Sequence, residues 1–212
     1  MRQPSLVLFD MDDVLCISDK RVRSAHLARL SGGNADRIYS ALWDSGFSHE
    51  ALQGGMTNDV YLTEYGRRIG YPITRAEWIA SRRASMTPIP EVLALVEQVR
   101  RRARVAVLTN NVTLVSEHID ELFPELVGLF GADIFASAAL GVGKPEAACF
   151  HVCLAALGVA PGEALFVDDL AVNIAGAQAA GLDAVQFTTP RKLASALAAR
   201  GLVAPEVLEA AG

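Results

Sequence analysis

The chain of 212 residues is long enough for one domain with an inserted subdomain, and its hydrophobic content of 51% can fill a sizeable core. Because only 20% of the residues are charged, the composition excludes an intrinsically disordered protein. The formal net charge of −5 argues against nucleic acid as the main partner, since nucleic-acid-binding domains are usually basic.

The cysteines and the lengths of the apolar runs predict a cytoplasmic location. The three cysteines are an odd number without the spacing of a disulfide framework, which is typical of a reducing compartment. No apolar run reaches the length of a membrane span, and Asp10 interrupts the first apolar stretch, unlike a signal peptide. We therefore expect no membrane partner, while the sequence leaves the oligomeric state open.

The first predicted element is a short strand over residues 5–9, SLVLF, and three aspartates follow it directly. These are Asp10, Asp12 and Asp13. Like charges this close raise one another's pKa unless a cation lies among them. The stretch therefore predicts either a bound cation or carboxylates that point apart into water.

Residues 18–86 contain no strand-like run and show helical patterns instead. The patterns are broken by Gly- and Pro-containing turns, which end helices. The predicted helices are residues 20–31, 34–45, 57–69 and 75–86. We interpret this stretch as a helical subdomain inserted after the first strand.

After residue 86, short apolar strands alternate with helices. The strands are predicted at residues 105–108, 133–136, 164–167 and 183–187, and the helices at 90–103, 113–123, 145–158, 171–180 and 190–200. Continuous apolar strands separated by helices are typical of a parallel sheet that is covered on both faces. Residues 1–17 and 87–212 therefore form one predicted α/β domain with a Rossmann-like sheet.

Polar side chains follow three of the predicted strands, and one lysine begins a helix between them. These residues are Asp10, Thr109, Asn110, Asn111, Lys144, Asp168 and Asp169. Because open parallel sheets bind ligands at the carboxyl ends of their strands, we expect these side chains to meet in one crevice.

The chemistry of these groups fits a phosphate ester. Carboxylates bind a hard cation such as Mg²⁺, which also binds phosphate oxygens. Thr109, Lys144 and backbone amides suit the remaining phosphate oxygens. Asp10 could then attack phosphorus and form an aspartyl-phosphate, provided that the cation and Lys144 neutralise the charge.

Four motifs, in chain order, resemble those of the haloacid dehalogenase superfamily of hydrolases. DMDDV (10–14) fits the first motif, D-x-D-x-[VT], and LTNN (108–111) fits the second. GKP (143–145) fits the lysine motif and VDDLAVN (167–173) the acidic fourth. The helical insertion lies where this superfamily carries its helical cap. One departure is Asp13, which occupies a place commonly held by Gly and to which we assign no catalytic role.

The resemblance implies a role for each acidic residue. Asp10 is implied to be the nucleophile and Asp12 the general acid/base. The Asp10 carboxylate and the Asp12 backbone carbonyl are expected to ligate Mg²⁺, together with Asp169, which lies four residues before Asn173 as in the family pattern. Asp168 is expected to act through water or as a neighbour of the metal, although the two residues can exchange roles.

A phosphatase-type activity follows from this resemblance. We expect a Mg²⁺-dependent phosphatase that hydrolyses a small phosphomonoester, with Thr109, Asn110 and Lys144 binding the phosphate. Residues 51–70 look like the cap of the sugar-phosphate-type and epoxide-hydrolase-associated members of the family, which suggests a small sugar phosphate as the first substrate to consider. The cap is expected to exclude water and to contact the leaving group.

Other activities of the same superfamily stay open at this point. A 2-haloacid dehalogenase attacks carbon and needs neither metal nor an acid/base, so Asp12, Asp168 and Asp169 argue against it. A phosphonate hydrolase needs a lysine of the cap to form a Schiff base. The helical stretch offers only Lys20, at its very edge, which argues against this activity. A phosphomutase keeps all four motifs. A non-catalytic binding domain is disfavoured because it should have lost at least one of these residues.

Overall fold

The computed structural model describes residues 3–52 and 54–204. Within them the strands are β1 (Leu6–Phe9), β2 (Cys16–Ser18), β3 (Met86–Pro88), β4 (Arg104–Thr109), β5 (Ile134–Ala136), β6 (Ala164–Asp168) and β7 (Asp183–Gln186). Five of them form one parallel sheet in the order β5-β4-β1-β6-β7. The predicted Rossmann-like sheet is therefore confirmed, with each of its five strands within about a residue of the predicted range.

Helices connect the strands and cover the sheet. They are α1 (Lys20–Ser31), α2 (Ala35–Tyr39), α3 (Phe47–Leu52), α4 (Asn58–Ile69), α5 (Arg75–Arg83), α6 (Pro90–Val99), α7 (Thr113–Glu117), α8 (Ile119–Leu122), α9 (Pro124–Phe130), α10 (Ser137–Leu140), α11 (Ala147–Leu157), α12 (Ala171–Ala179) and α13 (Pro190–Ala198). A π-helical turn, Ser40–Asp44, continues α2, and a 3₁₀ turn, Pro161–Glu163, precedes β6. None of the described helices is long and apolar enough to cross a membrane.

The apolar runs of the strands reflect burial on both faces of the sheet. In β1, Val7 and Phe9 pack into one hydrophobic cluster while Leu6 and Leu8 pack into a second on the opposite face. Successive side chains of a strand point to opposite faces, so a strand covered on both sides must be apolar throughout. The first cluster contains side chains of α6, α9 and α13, and the second contains those of α11.

Several helices differ from their predicted ranges for local reasons. The predicted helix 113–123 is divided into α7 and α8, because His118 between them has non-helical angles of φ −121° and ψ 30°. The predicted helix 90–103 ends at Val99, and 34–45 is divided between α2 and the π-helical turn. Three short helices, α3, α9 and α10, were not predicted because four to seven residues give little periodicity.

Residues 19–85, which we call the helical insert, lie between β2 and β3 and contain α1 to α5. The two flanking strands pair in antiparallel fashion, with Cys16 opposite Pro88 and Ser18 opposite Met86. The chain therefore leaves the core and returns to it through one two-stranded ribbon, which the sequence did not predict. The division into a core of residues 1–17 and 87–212 and a cap of residues 18–86 stays a prediction.

Candidate active site

The sheet order brings the polar strand ends together. Asp10 follows β1, Thr109 ends β4 and Asp168 ends β6, and β1 pairs with both of the other strands. Asp10, Thr109 and Asp169, which follows Asp168, line a cavity of about 370 Å³, whose opposite wall belongs to the helical insert. The structure thus brings together in one place the residues that the sequence assigned to one crevice.

Lys144 lies at the floor of this cavity between two carboxylates. Its Nζ is 2.8 Å from Asp10 Oδ1 and 2.7 Å from Asp168 Oδ2, and its side chain is fully buried. A Cβ at Gly176 would clash with the backbone of Pro145, so glycine there lets α12 pack against the loop that carries Lys144. Burial disfavours the ammonium, but the two aspartates outweigh burial and raise the pKa of Lys144.

The carboxylates at the floor outnumber the charge that Lys144 supplies. The pKa of Asp10 is raised to about 8, and burial is the largest cause of the rise. Lys144 only partly opposes this rise, while Asp168 adds to it. Asp169 is half-buried, and burial and Asp168 raise its pKa as well. The floor therefore favours either a proton or an additional cation.

Carboxylate oxygens of Asp10, Asp168 and Asp169 lie within 4.8 Å of one another and could hold that cation. The three carboxylates differ in how many hydrogen bonds their oxygens already accept, and therefore in how readily they could bind a cation. Asp168 is fully buried, and it accepts hydrogen bonds from Leu170 N at 2.8 Å and from Asn173 Nδ2 at 3.0 Å in addition to Lys144. Asp169 lines the cavity. All-oxygen groups of this kind fit a hard divalent cation.

Asp12 forms an ion pair with an arginine of the helical insert. Its Oδ1 accepts a hydrogen bond from Arg82 Nη2 at 2.5 Å, and its Oδ2 accepts one from Asn111 Nδ2 at 2.8 Å. Arg82 also donates to Ser18 Oγ. Burial opposes ionisation of Asp12, but Arg82 and Asn111 together outweigh burial and lower its pKa. Asp12 is therefore a carboxylate in this arrangement.

The second motif connects these groups to each other. Asn111 Nδ2 is 2.7 Å from the hydroxyl of Thr109, a buried residue. The Asn110 side chain donates to the Lys144 carbonyl oxygen at 2.8 Å and accepts from the Lys144 amide at 2.9 Å. Asn110 thus lines the cavity while its amide group fixes the backbone of the lysine loop.

Asp13 adopts a backbone conformation that glycine usually supplies. Its φ is +59°, and Asp13 is the one non-glycine residue with a positive φ among those that the structure describes. Its Oδ1 accepts a hydrogen bond from Ser18 N at 3.0 Å, which stabilises the loop between β1 and β2. The departure from the family motif therefore has a local structural role.

Sequence reasoning missed two arginines of the cavity wall, Arg82 and Arg23. Each follows the buried face of its helix, Arg82 four residues after Trp78 and Arg23 four residues before Leu27. A cation in register with buried apolar residues was the available signal, although it does not by itself identify the group that the cation faces.

Comparison with known proteins assigns the class. The family model for haloacid dehalogenase-like hydrolases matches residues 4–181, so the chain belongs to that family and is an enzyme of the hydrolase type. Mouse acyl-CoA dehydrogenase family member 10 is 28% identical over 87% of this chain, which spans 18% of the mouse protein. A protein of Mycobacterium tuberculosis that is named as a phosphatase is 26% identical, over 85% of each chain.

Solved structures agree with this fold. A HAD family enzyme from Bacteroides thetaiotaomicron, crystallised with magnesium and inorganic phosphate, has a TM-score of 0.74 at 18% identity, covering 87% of this chain and 94% of that one. The L-2-haloacid dehalogenase of Xanthobacter autotrophicus has a TM-score of 0.63 at 21% identity, covering 97% of this chain and 86% of that one.

Proposed function

We propose that the protein is a Mg²⁺-dependent phosphatase that hydrolyses small phosphomonoesters through an aspartyl-phosphate on Asp10. The observation that carries the proposal is the buried ammonium of Lys144 between Asp10 and Asp168, beside the half-buried carboxylate of Asp169. The phosphatase name of the mycobacterial relative and the magnesium and phosphate of the Bacteroides enzyme support it. Small sugar phosphates are the first substrates to screen.

We assign the metal to Asp10, Asp169 and the backbone carbonyl of Asp12. Asp168 is assigned an indirect role, because its oxygens already accept hydrogen bonds from Lys144, Leu170 and Asn173. When bound, Mg²⁺ supplies positive charge beside the phosphate oxygens. We assign the remaining phosphate oxygens to Lys144, the Thr109 hydroxyl and the backbone around Asn110. The Asn110 side chain is not needed for the phosphate in this assignment, because it already bonds to the backbone of Lys144.

The reaction divides between the two aspartates of the first motif. An Asp10 oxygen forms a bond to phosphorus while the ester bond breaks, and Asp12 donates a proton to the departing oxygen. In the second step Asp12 takes a proton from water, which attacks phosphorus, and the bond to Asp10 breaks to release inorganic phosphate. Lys144 offsets the repulsion between Asp10 and the phosphate.

The helical insert is proposed to act as a cap that also controls Asp12. Arg82 belongs to α5 of the insert, whereas Asp12 belongs to the core. While they are paired, Asp12 is held as the carboxylate that the second step needs. A shift of the insert that separates the pair removes the charge that lowers the pKa of Asp12, so Asp12 becomes easier to protonate for the first step.

The rival activities differ at the leaving group. Displacement of a halide needs no acid/base residue, so the presence of Asp12 on the cavity wall favours the phosphatase over the dehalogenase. A phosphomutase uses the same groups as a phosphatase. Analysis of the products from a sugar phosphate distinguishes these two, because only the phosphatase releases inorganic phosphate.

The test uses Asp12→Asn with p-nitrophenyl phosphate, whose leaving group departs without a proton. The variant should release about one equivalent of p-nitrophenolate in a burst and then nearly stop, because the water of the second step lacks a base. Asp10→Asn should show no burst, and Asp13→Asn serves as the neighbouring control. Mass spectrometry of the quenched variant should find phosphate on the peptide that contains Asp10. Equal loss of both steps, without phosphorylated peptide, contradicts the proposal.

A further inference from the structure

Arg23 of the helical insert lines the cavity without a carboxylate partner. The cations of the cavity wall are Lys20, Arg23, Arg82 and Lys144. Arg82 is paired with Asp12, and Lys144 with Asp10 and Asp168, whereas Lys20 is exposed to solvent. Arg23 is only 8% exposed, and no described carboxylate lies within ion-pairing distance of it.

The surroundings of the Arg23 guanidinium leave hydrogen-bonding capacity unused. Its Nε is 3.4 Å from Ser81 Oγ, a long contact, and its Nη2 is buried without a hydrogen-bond partner. The guanidinium carbon lies 4.8 Å from the centre of the Trp78 ring and 5.5 Å from that of Tyr65. Aromatic faces attract a cation but offer no acceptor to its N–H groups.

A buried cation without an anionic partner is unfavourable by itself, so its position on a cavity wall points to a ligand. The guanidinium presents planar, paired donors that match the two oxygens of a carboxylate or of a phosphate. Lys144, at the floor of the cavity, already supplies a cation for the reacting phosphate. The wall cation is therefore available to a different part of the substrate.

We infer that the substrate carries a second anionic group, a carboxylate or a second phosphate, on its leaving portion and that Arg23 binds this group. The inference rests on the proposed phosphatase activity and narrows its substrate class. A neutral sugar monophosphate leaves the guanidinium unpaired, whereas a sugar acid phosphate or a bisphosphate satisfies it.

The test compares acids with alcohols of equal length. The acids are carboxymethyl, 2-carboxyethyl and 3-carboxypropyl phosphate, and the alcohols are 2-hydroxyethyl, 3-hydroxypropyl and 4-hydroxybutyl phosphate, with propane-1,3-diyl bisphosphate as the phosphate arm. For at least one length, the acid or the bisphosphate should have a kcat/KM at least about tenfold above that of the alcohol, the size of effect expected for one charged hydrogen-bonded contact. The preferred anion identifies the group.

Arg23→Gln should reduce this ratio to within about twofold of unity, while Arg23→Lys should keep part of it because the charge remains. The matched control is Arg21→Gln on the same helix, whose exposed guanidinium is paired with Asp36, and which should keep the wild-type ratio. A wild-type ratio near unity at every length overturns the inference, as does a ratio that survives Arg23→Gln.

A binding measurement separates this inference from the proposed activity. Calorimetric titration of the acids and alcohols into Asp10→Asn protein reports affinity without turnover. The acid should bind at least about tenfold more tightly than the alcohol, and adding Arg23→Gln should remove the difference. If p-nitrophenyl phosphate is not hydrolysed by the wild type, the phosphatase proposal fails. Equal affinities for acid and alcohol overturn the role of Arg23, whatever the activity.

Discussion

Replacement of Arg82 by methionine should destabilise the protein through the carboxylate that it leaves behind. The side chains of Arg82 and Asp12 are 5% and 27% exposed, so the pair is largely desolvated. Removing one partner of a buried ion pair costs about 3–5 kcal/mol, and water at the partly exposed Asp12 favours the lower end. We therefore expect the free energy of unfolding to fall by about 3 kcal/mol at pH 7, measured by urea unfolding in EDTA.

The pH dependence of this loss identifies its origin. In the wild type the pKa of Asp12 is lowered, so its stabilising effect is present above the unfolded value of about 3.9 and is lost as the pH falls through the folded pKa. In Arg82→Met, burial instead raises that pKa above the unfolded value, so protonation relieves the destabilisation. The difference between the two proteins should therefore shrink on acidification from pH 7.

A double-mutant cycle provides the control for this prediction. Asp12→Asn alone leaves Arg82 as an unpaired buried cation, whereas the double variant leaves neither charge unpaired. The double variant should therefore lose at least about 1.5 kcal/mol less than the sum of the two single losses, the scale of a hydrogen bond to a charged group. Additive losses, or a cost below about 1 kcal/mol for Arg82→Met, would refute the role of the pair.

Three further predictions concern the floor of the cavity. Lys144→Ala should lower kcat/KM for p-nitrophenyl phosphate at least about a hundredfold, and Thr109→Val should lower it less; near-normal activity of Lys144→Ala means that phosphate binds elsewhere. Asp169→Asn should weaken the dependence of activity on Mg²⁺ more than Asp168→Asn, which should instead lower the free energy of unfolding by about 2 kcal/mol because its buried hydrogen bonds are charged; the reverse order exchanges their roles. Because metal-free Asp10 has a pKa raised to about 8, Mg²⁺ must displace a proton below that pH. The affinity of the protein for Mg²⁺, measured by calorimetry, should therefore rise about tenfold per pH unit up to about pH 8 and then become constant. Asp10→Asn should abolish this pH dependence. Excess EDTA should stop turnover of the wild type.

The core of the fold could be predicted because its signals are local. Four-residue runs such as Leu6–Phe9 are apolar throughout because both faces of the sheet are covered. In a parallel sheet the carboxyl ends of all strands lie on the same side, so the position of the residue that follows each apolar run is known. The convergence of Asp10, Thr109 and Asp168 follows from this rule without knowledge of any contact.

The opposite wall of the site depends on how the helical insert packs, which no local signal reports. Arg82 binds Asp12, which lies far from it in the sequence, and Arg23 faces the ring of Trp78. Only the packing of α1 and α5 decides which groups these two arginines contact. The pairing of β2 with β3 joins two three-residue strands that are almost 70 residues apart, too short for a pattern. The use of the Asn110 side chain on the lysine backbone is likewise a long-range contact.

The central position of β1 has a consequence for the order in which the protein forms during its synthesis. Leu6 is in register with Ala164, which is made 158 residues later (164 − 6). At about 5–20 residues per second, β1 waits about 8–32 s for this partner, while one edge of the strand lacks its hydrogen-bonding neighbour. The helices of the insert make contacts that are nearer in sequence, which form sooner. The cavity at the strand ends is therefore completed only after β6 has left the ribosome, although Asp10 is synthesised 154 residues before β6 begins (164 − 10).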